Sequence, residues 1–381
     1  MPSHLAAQLH EPTAWAAVET HLSALLHTVS TYLPRSLLRT LLANPVPGRV
    51  WGETIHGTLL FADLSGFTHL SAALSRQGLA GAEQLVSIVN AIFTSMLAII
   101  EEEGGDLVVF GGDALLVLFS GDGHVPAAVR AARRMQQDMA SFAQVESEAG
   151  TFPLAIHIGG NSGEFLAASV GQPHSMQYVL LGRAVEQTAQ AEALAGPGEI
   201  VLGAAMAREL PLDSSRGLLE RPWVRLPDDL PLPPSGPAGH PLLLPEGPAA
   251  VAALDAIVPY LPAGLLERLI PYPAETTVEA DLKPVAVLFA NLLGFEPLLQ
   301  LLGPERLDDA VSVLQRYMVA MQEVVEGCGG TLNKMDLSQQ GGKLLVLFGA
   351  PVKHEDDPER AVHAALDMQR QADELVAALV R

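Results

Sequence analysis

The chain repeats itself. Tyr32-Leu33-Pro34 returns as Tyr260-Leu261-Pro262, and Phe61-Ala62-Asp63 returns as Phe289-Ala290-Asn291, both 228 positions later; Leu115 to Phe119 returns as Leu344 to Phe348, 229 positions later. Solenoid units run to roughly 20–50 residues, so a period this long means two copies of one domain. The 381 residues accommodate two globular units of ordinary size, and 49% hydrophobic residues can fill two cores. The natural arrangement is an intramolecular pseudo-dimer with a site where the copies meet.

The pattern divides the chain into four stretches. Residues 1–50 read as a helical segment: Leu5 to Leu26 is broken by Pro12, and Ser36 to Leu42 is closed by Pro45, Pro47 and Gly48. Residues 51–210 read as one α+β domain. Strand Thr58 to Ala62 is followed by helices Thr68 to Arg76 and Ala82 to Glu102, whose apolar residues fall at three- and four-residue steps. A hairpin Leu107 to Phe119, helix Val125 to Phe142, strands Phe152 to Ile158, Phe165 to Val170 and Gln177 to Leu181, helix Arg183 to Leu194 and strand Glu199 to Leu202 complete it. This βααββαβ order predicts a ferredoxin-like, palm-type sheet rather than a Rossmann sheet. Residues 211–249 are punctuated by nine prolines from Pro222 to Pro248, which predicts a stiff, extended linker. Residues 250–381 form the second copy, ending in a helix Glu359 to Val380.

Two short pieces carry chemistry. Strand Thr58 to Ala62 ends on Asp63 and runs through Leu64-Ser65-Gly66-Phe67-Thr68 into a helix, while Gly111-Gly112-Asp113 forms the tip of the hairpin. Taken singly, each aspartate reads as an ordinary solvated turn residue. Adjacent strands would bring Asp63 and Asp113 together, and paired carboxylates beside free helix-start N–H groups suit a divalent cation and a polyphosphate.

The motif Phe61-Ala62-Asp63-Leu64-Ser65-Gly66-Phe67-Thr68, followed fifty residues after Asp63 by Gly112-Asp113-Ala114-Leu115-Leu116, resembles the class III nucleotidyl cyclases, and within them the tandem-domain type similar to soluble adenylyl cyclase. The resemblance implies two cyclase homology domains and conversion of ATP to cyclic AMP and pyrophosphate for intracellular signalling. It implies two Mg²⁺ or Mn²⁺ ions on Asp63, Asp113 and the main chain of Leu64, with Ser65, Gly66, Phe67, Thr68 and Gly112 around the phosphates. The second copy has Asn291 for Asp63 and Gly342 for Asp113, but carries Lys334 on the strand entering its hairpin. In the resembled family one half donates the metal aspartates and the other reads the base. Lys334 would then select adenine, its alternative being a solvated strand-end lysine; Lys343 is a weaker candidate.

The family motif G-x-x-V-N-x-A-x-R is degenerate in the first copy, with Glu186 and Gln190 in place of Asn and Arg. Its second-copy counterpart would lie beyond Arg381. The resemblance therefore predicts weak or no turnover by this chain alone, the missing Asn and Arg being supplied by a homodimer or a C-terminal continuation. A nucleotide-binding regulatory module without turnover, a guanylate cyclase and a pure interaction domain are the alternatives. The diguanylate-cyclase reading of Gly111-Gly112-Asp113 fails at Ala114-Leu115. Val109 and Ala189 stand where bicarbonate-sensing members have Lys and Arg, which removes support for that sensing.

A net charge of −21 disfavours nucleic acid and anionic membranes. The single Cys328 reads as a buried, inert thiol, and its solitude suits a reducing cytoplasm. No uninterrupted apolar run reaches ~18 residues, so no membrane insertion is expected. His157, inside the apolar run Leu154 to Ile158, reads as a hydrogen-bonded core or strand residue, and Arg130, Arg133 and Arg134 as a solvated helix face.

Overall fold

The computed structural model describes residues 15–212, 221–234, 242–274, 283–338 and 341–379. In chain order its first half contains α1 (Trp15–Ser30), α2 (Arg35–Ala43), β1 (Trp51–Ser65), α3 (Phe67–Ser75), α4 (Leu79–Glu102), β2 (Asp106–Phe110), β3 (Ala114–Ser120) and α5 (His124–Met139). Next come β4 (Val145–Ser147), β5 (Gly150–Phe152), β6 (Ala155–Gln172), β7 (Ser175–Leu181), α6 (Arg183–Leu194), β8 (Ile200–Gly203), α7 (Ala204–Arg208) and β9 (Trp223–Arg225). The second half contains α8 (Pro248–Ile257), α9 (Leu265–Leu269), β10 (Ala286–Asn291), α10 (Phe295–Leu302), α11 (Leu307–Gly327), β11 (Thr331–Ser338), β12 (Gly341–Phe348) and α12 (Asp357–Leu379).

A seven-stranded sheet orders its strands β2-β3-β1-β6-β8-β9, with β7 also pairing β6. Its main core lies under one face. There Leu60, Ala62 and Leu64 of β1 meet Ile92, Phe93 and Met96 of α4, Met135 of α5 and Ile156 and Ile158 of β6. The alternation in β1 is what puts Asp63 on the opposite face. Helix α4 has the length and mean hydropathy to cross a membrane, although no apolar run suggested it; its inward residues Ile92, Met96 and Ile100 are buried in this core.

The second sheet has the order β10-β12-β11, which repeats β1-β3-β2 strand for strand. The register repeats too: Asp63 pairs with Ala114, and Asn291 with Lys343. Even the irregularity between Leu107 and Val109 recurs between Leu332 and Lys334. The amide of Leu64 donates to the carbonyl of Asp113 at 3.2 Å, and that of Leu292 to the carbonyl of Gly342 at 2.7 Å. The two halves share a second core, in which Leu166, Ala168 and Val179 of the first sheet meet Val311, Leu314 and Met318 of α11.

Several local expectations need correction. The two strands expected at 152–158 and 165–170 are one continuous β6. The run Gly159-Gly160-Asn161-Ser162-Gly163 imitates a turn, but its small residues are there for close packing: a Cβ on Gly159 would sit 2.0 Å from the amide nitrogen of Glu192. The proline-rich stretch is more than a linker. Its Trp223–Arg225 pairs with β8 as an edge strand, and Leu230 enters the main core. Helix α5 anchors it, since Arg133 donates to the carbonyls of Pro227, Asp228 and Leu230. Arg130 and Arg134 both pair with buried Glu103, so these three arginines are not a solvated face. The helical segment expected over 1–50 is described from Trp15 onward, the rest of Leu5 to Leu26 lying outside the described residues. Its Leu26, Val29 and Leu37 pack on Ala253, Leu254 and Ile257 of α8. Cys328 is partly exposed.

Candidate functional site

The site begins where β1 leaves the sheet. Gly66 takes φ +90°, and a Cβ there would meet the Pro153 carbonyl oxygen at 2.3 Å, so only glycine makes this bend. The chain turns directly into α3, whose start has no side-chain cap. Main-chain N–H groups at Phe67 and Thr68 are therefore the kind of donors that accept an anion. The side chains of Leu64 and Phe67 pack with the core, leaving only their main-chain groups for a ligand.

Asp63 projects from the opposite face between two neighbouring strands. On one side Ala114 follows Asp113, whose carbonyl accepts from Leu64; Gly112 takes φ +91° and bends the hairpin tip. On the other side His157 of β6 is the direct cross-strand partner of Asp63. His157 Nε2 lies 3.7 Å from Asp63 Oδ2 and 2.7 Å from Glu192 Oε1 of α6, while Nδ1 is 2.9 Å from Ser65 Oγ. The oxygen and nitrogen atoms of Asp63, His157 and Glu192 lie within 4.8 Å of one another.

These neighbours set the electrostatics. Burial, and next the charge of Asp113, push Asp63 up from 3.8 to about 6. Burial also raises Asp113. The hydrogen bond that His157 donates to the Glu192 carboxylate raises His157 against the opposing effect of burial. Carboxylates held this way gain from a bound cation, which removes both the mutual repulsion and the desolvation penalty. The donor set therefore fits a divalent ion: Asp63, Asp113 and the main chain of Leu64 supply hard oxygen ligands.

The second half approaches the same hairpin. Lys334 Nζ on β11 donates to the carbonyl of Phe110, the residue before Gly111-Gly112-Asp113. Lys343 instead sits 5.1 Å above the Phe289 ring. The structure thus brings Asp63, Ser65, Gly66, the start of α3 and the Asp113 hairpin into one region, with Lys334 at its edge. The sequence marks His157 as a hydrogen-bonded residue, which it is, but not as a neighbour of Asp63, and it gives no sign of Glu192. Nothing local marks their meeting with Asp63, because it depends on β1–β6 register and on α6 lying close over Gly159.

Residues 53–217 match the family model described as the adenylate and guanylate cyclase catalytic domain. The match is to a class III cyclase domain and covers those residues alone. Similarity to adenylate cyclase type 10 of Rattus norvegicus extends further, at 23% identity over 357 residues, covering 84% of this chain and 21% of that protein. The chain thus spans about a fifth of that relative's length. An uncharacterized protein of Mycobacterium tuberculosis is 28% identical over 143 residues, covering 36% of this chain and 24% of that protein. Among solved structures, the adenylyl cyclase CyaB from P. aeruginosa is 26% identical, with a TM-score of 0.36, covering 42% of this chain and 81% of that one.

Proposed function

We propose that this chain is the catalytic region of an adenylate cyclase, forming cyclic AMP and pyrophosphate from ATP in intracellular signalling. The two halves would act as an intramolecular pseudo-dimer. The observation that carries the reading is the approach of Lys334 from the second half to the hairpin that presents Asp113. In this reading Asp63, Asp113 and the Leu64 carbonyl hold divalent cations, Mg²⁺ or Mn²⁺. The bound ions supply a lowered pKa for the ribose 3′-hydroxyl and positive charge at the leaving pyrophosphate. Ser65, Gly66, Phe67, Thr68 and Gly112 border the phosphates, with main-chain N–H groups at the α3 start aimed at them. Lys334 donates to a ring nitrogen of adenine, which makes GTP the second-choice substrate. The similarity to adenylate cyclase type 10 supports ATP over GTP.

Turnover by this chain alone is expected to be low. Glu186 and Gln190 occupy the places of the family's Asn and Arg on α6, as expected of the half that donates the metal aspartates, so those groups would have to come from a homodimer or a C-terminal continuation; without the arginine, charge growing on the α-phosphate is not stabilised. That observation favours, as a second reading, a regulatory module that binds nucleotide without converting it. Under either reading the protein would act in the cytoplasm. The test is cyclic AMP formation from Mn-ATP beside Asp63→Ala. Product that vanishes in the variant supports the cyclase. Tight Mn-ATP binding without product supports the binding module, and product unaffected by Asp63→Ala rejects the metal assignment.

A further inference from the structure

The imidazole beside Asp63 changes what kind of cation the site can take. Ligand atoms bonded to a first-row dication at about 2.1 Å lie roughly 3.0–3.5 Å apart. The His157–Asp63 separation of 3.7 Å and the His157–Glu192 separation of 2.7 Å bracket that range. All three ligand atoms lie within 4.8 Å of one another, so side-chain adjustment at the two carboxylates would bring them onto one ion. The three side chains come from β1, β6 and α6. The backbone of α6 is held against Gly159, where any Cβ would collide with Glu192, so the Glu192 main chain is fixed over the site.

We propose that Asp63, His157 and Glu192 form a mixed nitrogen–oxygen site for one transition-metal dication, binding Mn²⁺ or Zn²⁺ in preference to Mg²⁺. Imidazole nitrogen favours these borderline ions, whereas Mg²⁺ selects oxygen. Ser65 completes the arrangement. Its Oγ stands 2.9 Å from Nδ1 and accepts the Nδ1–H when Nε2 turns to metal, which is the outer support that metal-bound histidines use. Asp63 would then serve two directions, toward Asp113 on one strand and toward His157 on the other. The inference rests on the Asp63 part of the proposed function, and adds ligands that the paired aspartates do not require.

The test uses the full chain without nucleotide. Mn²⁺ is titrated while its free electron-paramagnetic-resonance signal is followed, and the bound ion is examined by pulsed methods for coupling to imidazole nitrogen. The site predicts nitrogen coupling in the unmutated chain. It predicts its loss in His157→Gln, with Mn²⁺ affinity down at least about tenfold and Mg²⁺ affinity, read by competition, changed by less than about threefold. Glu192→Gln should weaken Mn²⁺ while keeping the nitrogen coupling. Bound Mn²⁺ without nitrogen coupling in the unmutated chain, a result that needs no variant, overturns the proposal. So does an equal loss of Mn²⁺ and Mg²⁺ in His157→Gln. If Asp63→Ala abolishes cyclic AMP formation but the nitrogen coupling is absent, the third-ligand inference fails and the cyclase reading stands. Nitrogen coupling in a chain that makes no cyclic AMP supports this inference and fails the other.

Discussion

Strands β1 and β10 occupy the same place in the two halves and end differently. β1 is paired on both edges, with β3 on one side and with β6 along all of its residues on the other. Among the described residues β10 pairs only with β12. Leu59 is fully buried, whereas Val287, its counterpart, is 47% exposed, and Phe289 is 61% exposed. The first-half core is closed by Ile156, Ile158, Leu202 and Met206. In the second half a cavity of about 690 Å³ runs along β10 between α10, α11 and α12. The same strand–hairpin pattern thus yields a sealed core in one half and an open groove in the other. In the first half the flank of β1 is covered by β6, a strand from nearly a hundred positions further along the chain. The chemistry divides in the same direction: the sealed half keeps both aspartates, and the open half has Asn291 and Gly342.

That contrast can be broken at its strongest point first. Asp63→Ala should reduce cyclic AMP formation at least about a thousandfold, whereas Asn291→Ala should change it less than about threefold; radiolabelled-ATP assays in Mn²⁺ measure both. Comparable losses would mean that the halves share the metal role.

A smaller effect tests the cores. Leu60→Ala removes a fully buried side chain from the sealed core and should cost about 3 kcal/mol in urea unfolding. Leu288→Ala, at the equivalent place beside the open groove, should cost about 1 kcal/mol, because less area leaves water on folding. Equal costs would show that the groove is covered in solution.

Lys334→Ala should raise the KM for ATP roughly three- to tenfold, as expected for one lost hydrogen bond of about 1 kcal/mol. If KM for ATP is unchanged, the contact with the Phe110 carbonyl is structural and the base is read elsewhere.

The smallest effect is on pH dependence. Asp63 binds its proton more tightly in the folded chain, at about 6 against an ordinary 3.8. This contribution to the stability of the metal-free chain is therefore complete below about pH 4 and is lost as pH rises to about 6. Asp63→Asn should remove that loss and stabilise the metal-free chain at pH 7 by on the order of 1 kcal/mol, after allowance for solvent access. Thermal unfolding in chelator at pH 4 and pH 7 measures it. A variant less stable than the unmutated chain at pH 7 would show that the His157–Asp63 attraction outweighs burial.

Much of this was legible in the sequence for a physical reason. The repeat fixed the duplicated strand order, and local signals placed most elements: helix Arg183–Leu194 follows from its flanking glycine and its run of helix formers, and the Asp113 hairpin from Gly111-Gly112. Asp63 and Asp113 could be paired because a hairpin beside a strand is a short-range event. The reading failed where local and distant signals disagree. Gly159 to Gly163 has turn composition, but the approach of α6 makes it the middle of β6. Arg133 looks solvated on its helix and instead satisfies carbonyls of a segment some ninety positions away.

By itself, then, the sequence determined the repeated strand order, the alternation that turns Asp63 away from the core, and the absence of both acids from the corresponding positions Asn291 and Gly342. These follow from periodicity and composition, which act over a few residues. Only the tertiary structure decided that His157 and Glu192 stand beside Asp63, that Lys334 reaches the hairpin of the other half, and that β10 pairs only with β12 among the described residues. Each depends on register or helix docking between distant segments, where contact energies rather than local preference choose the partner.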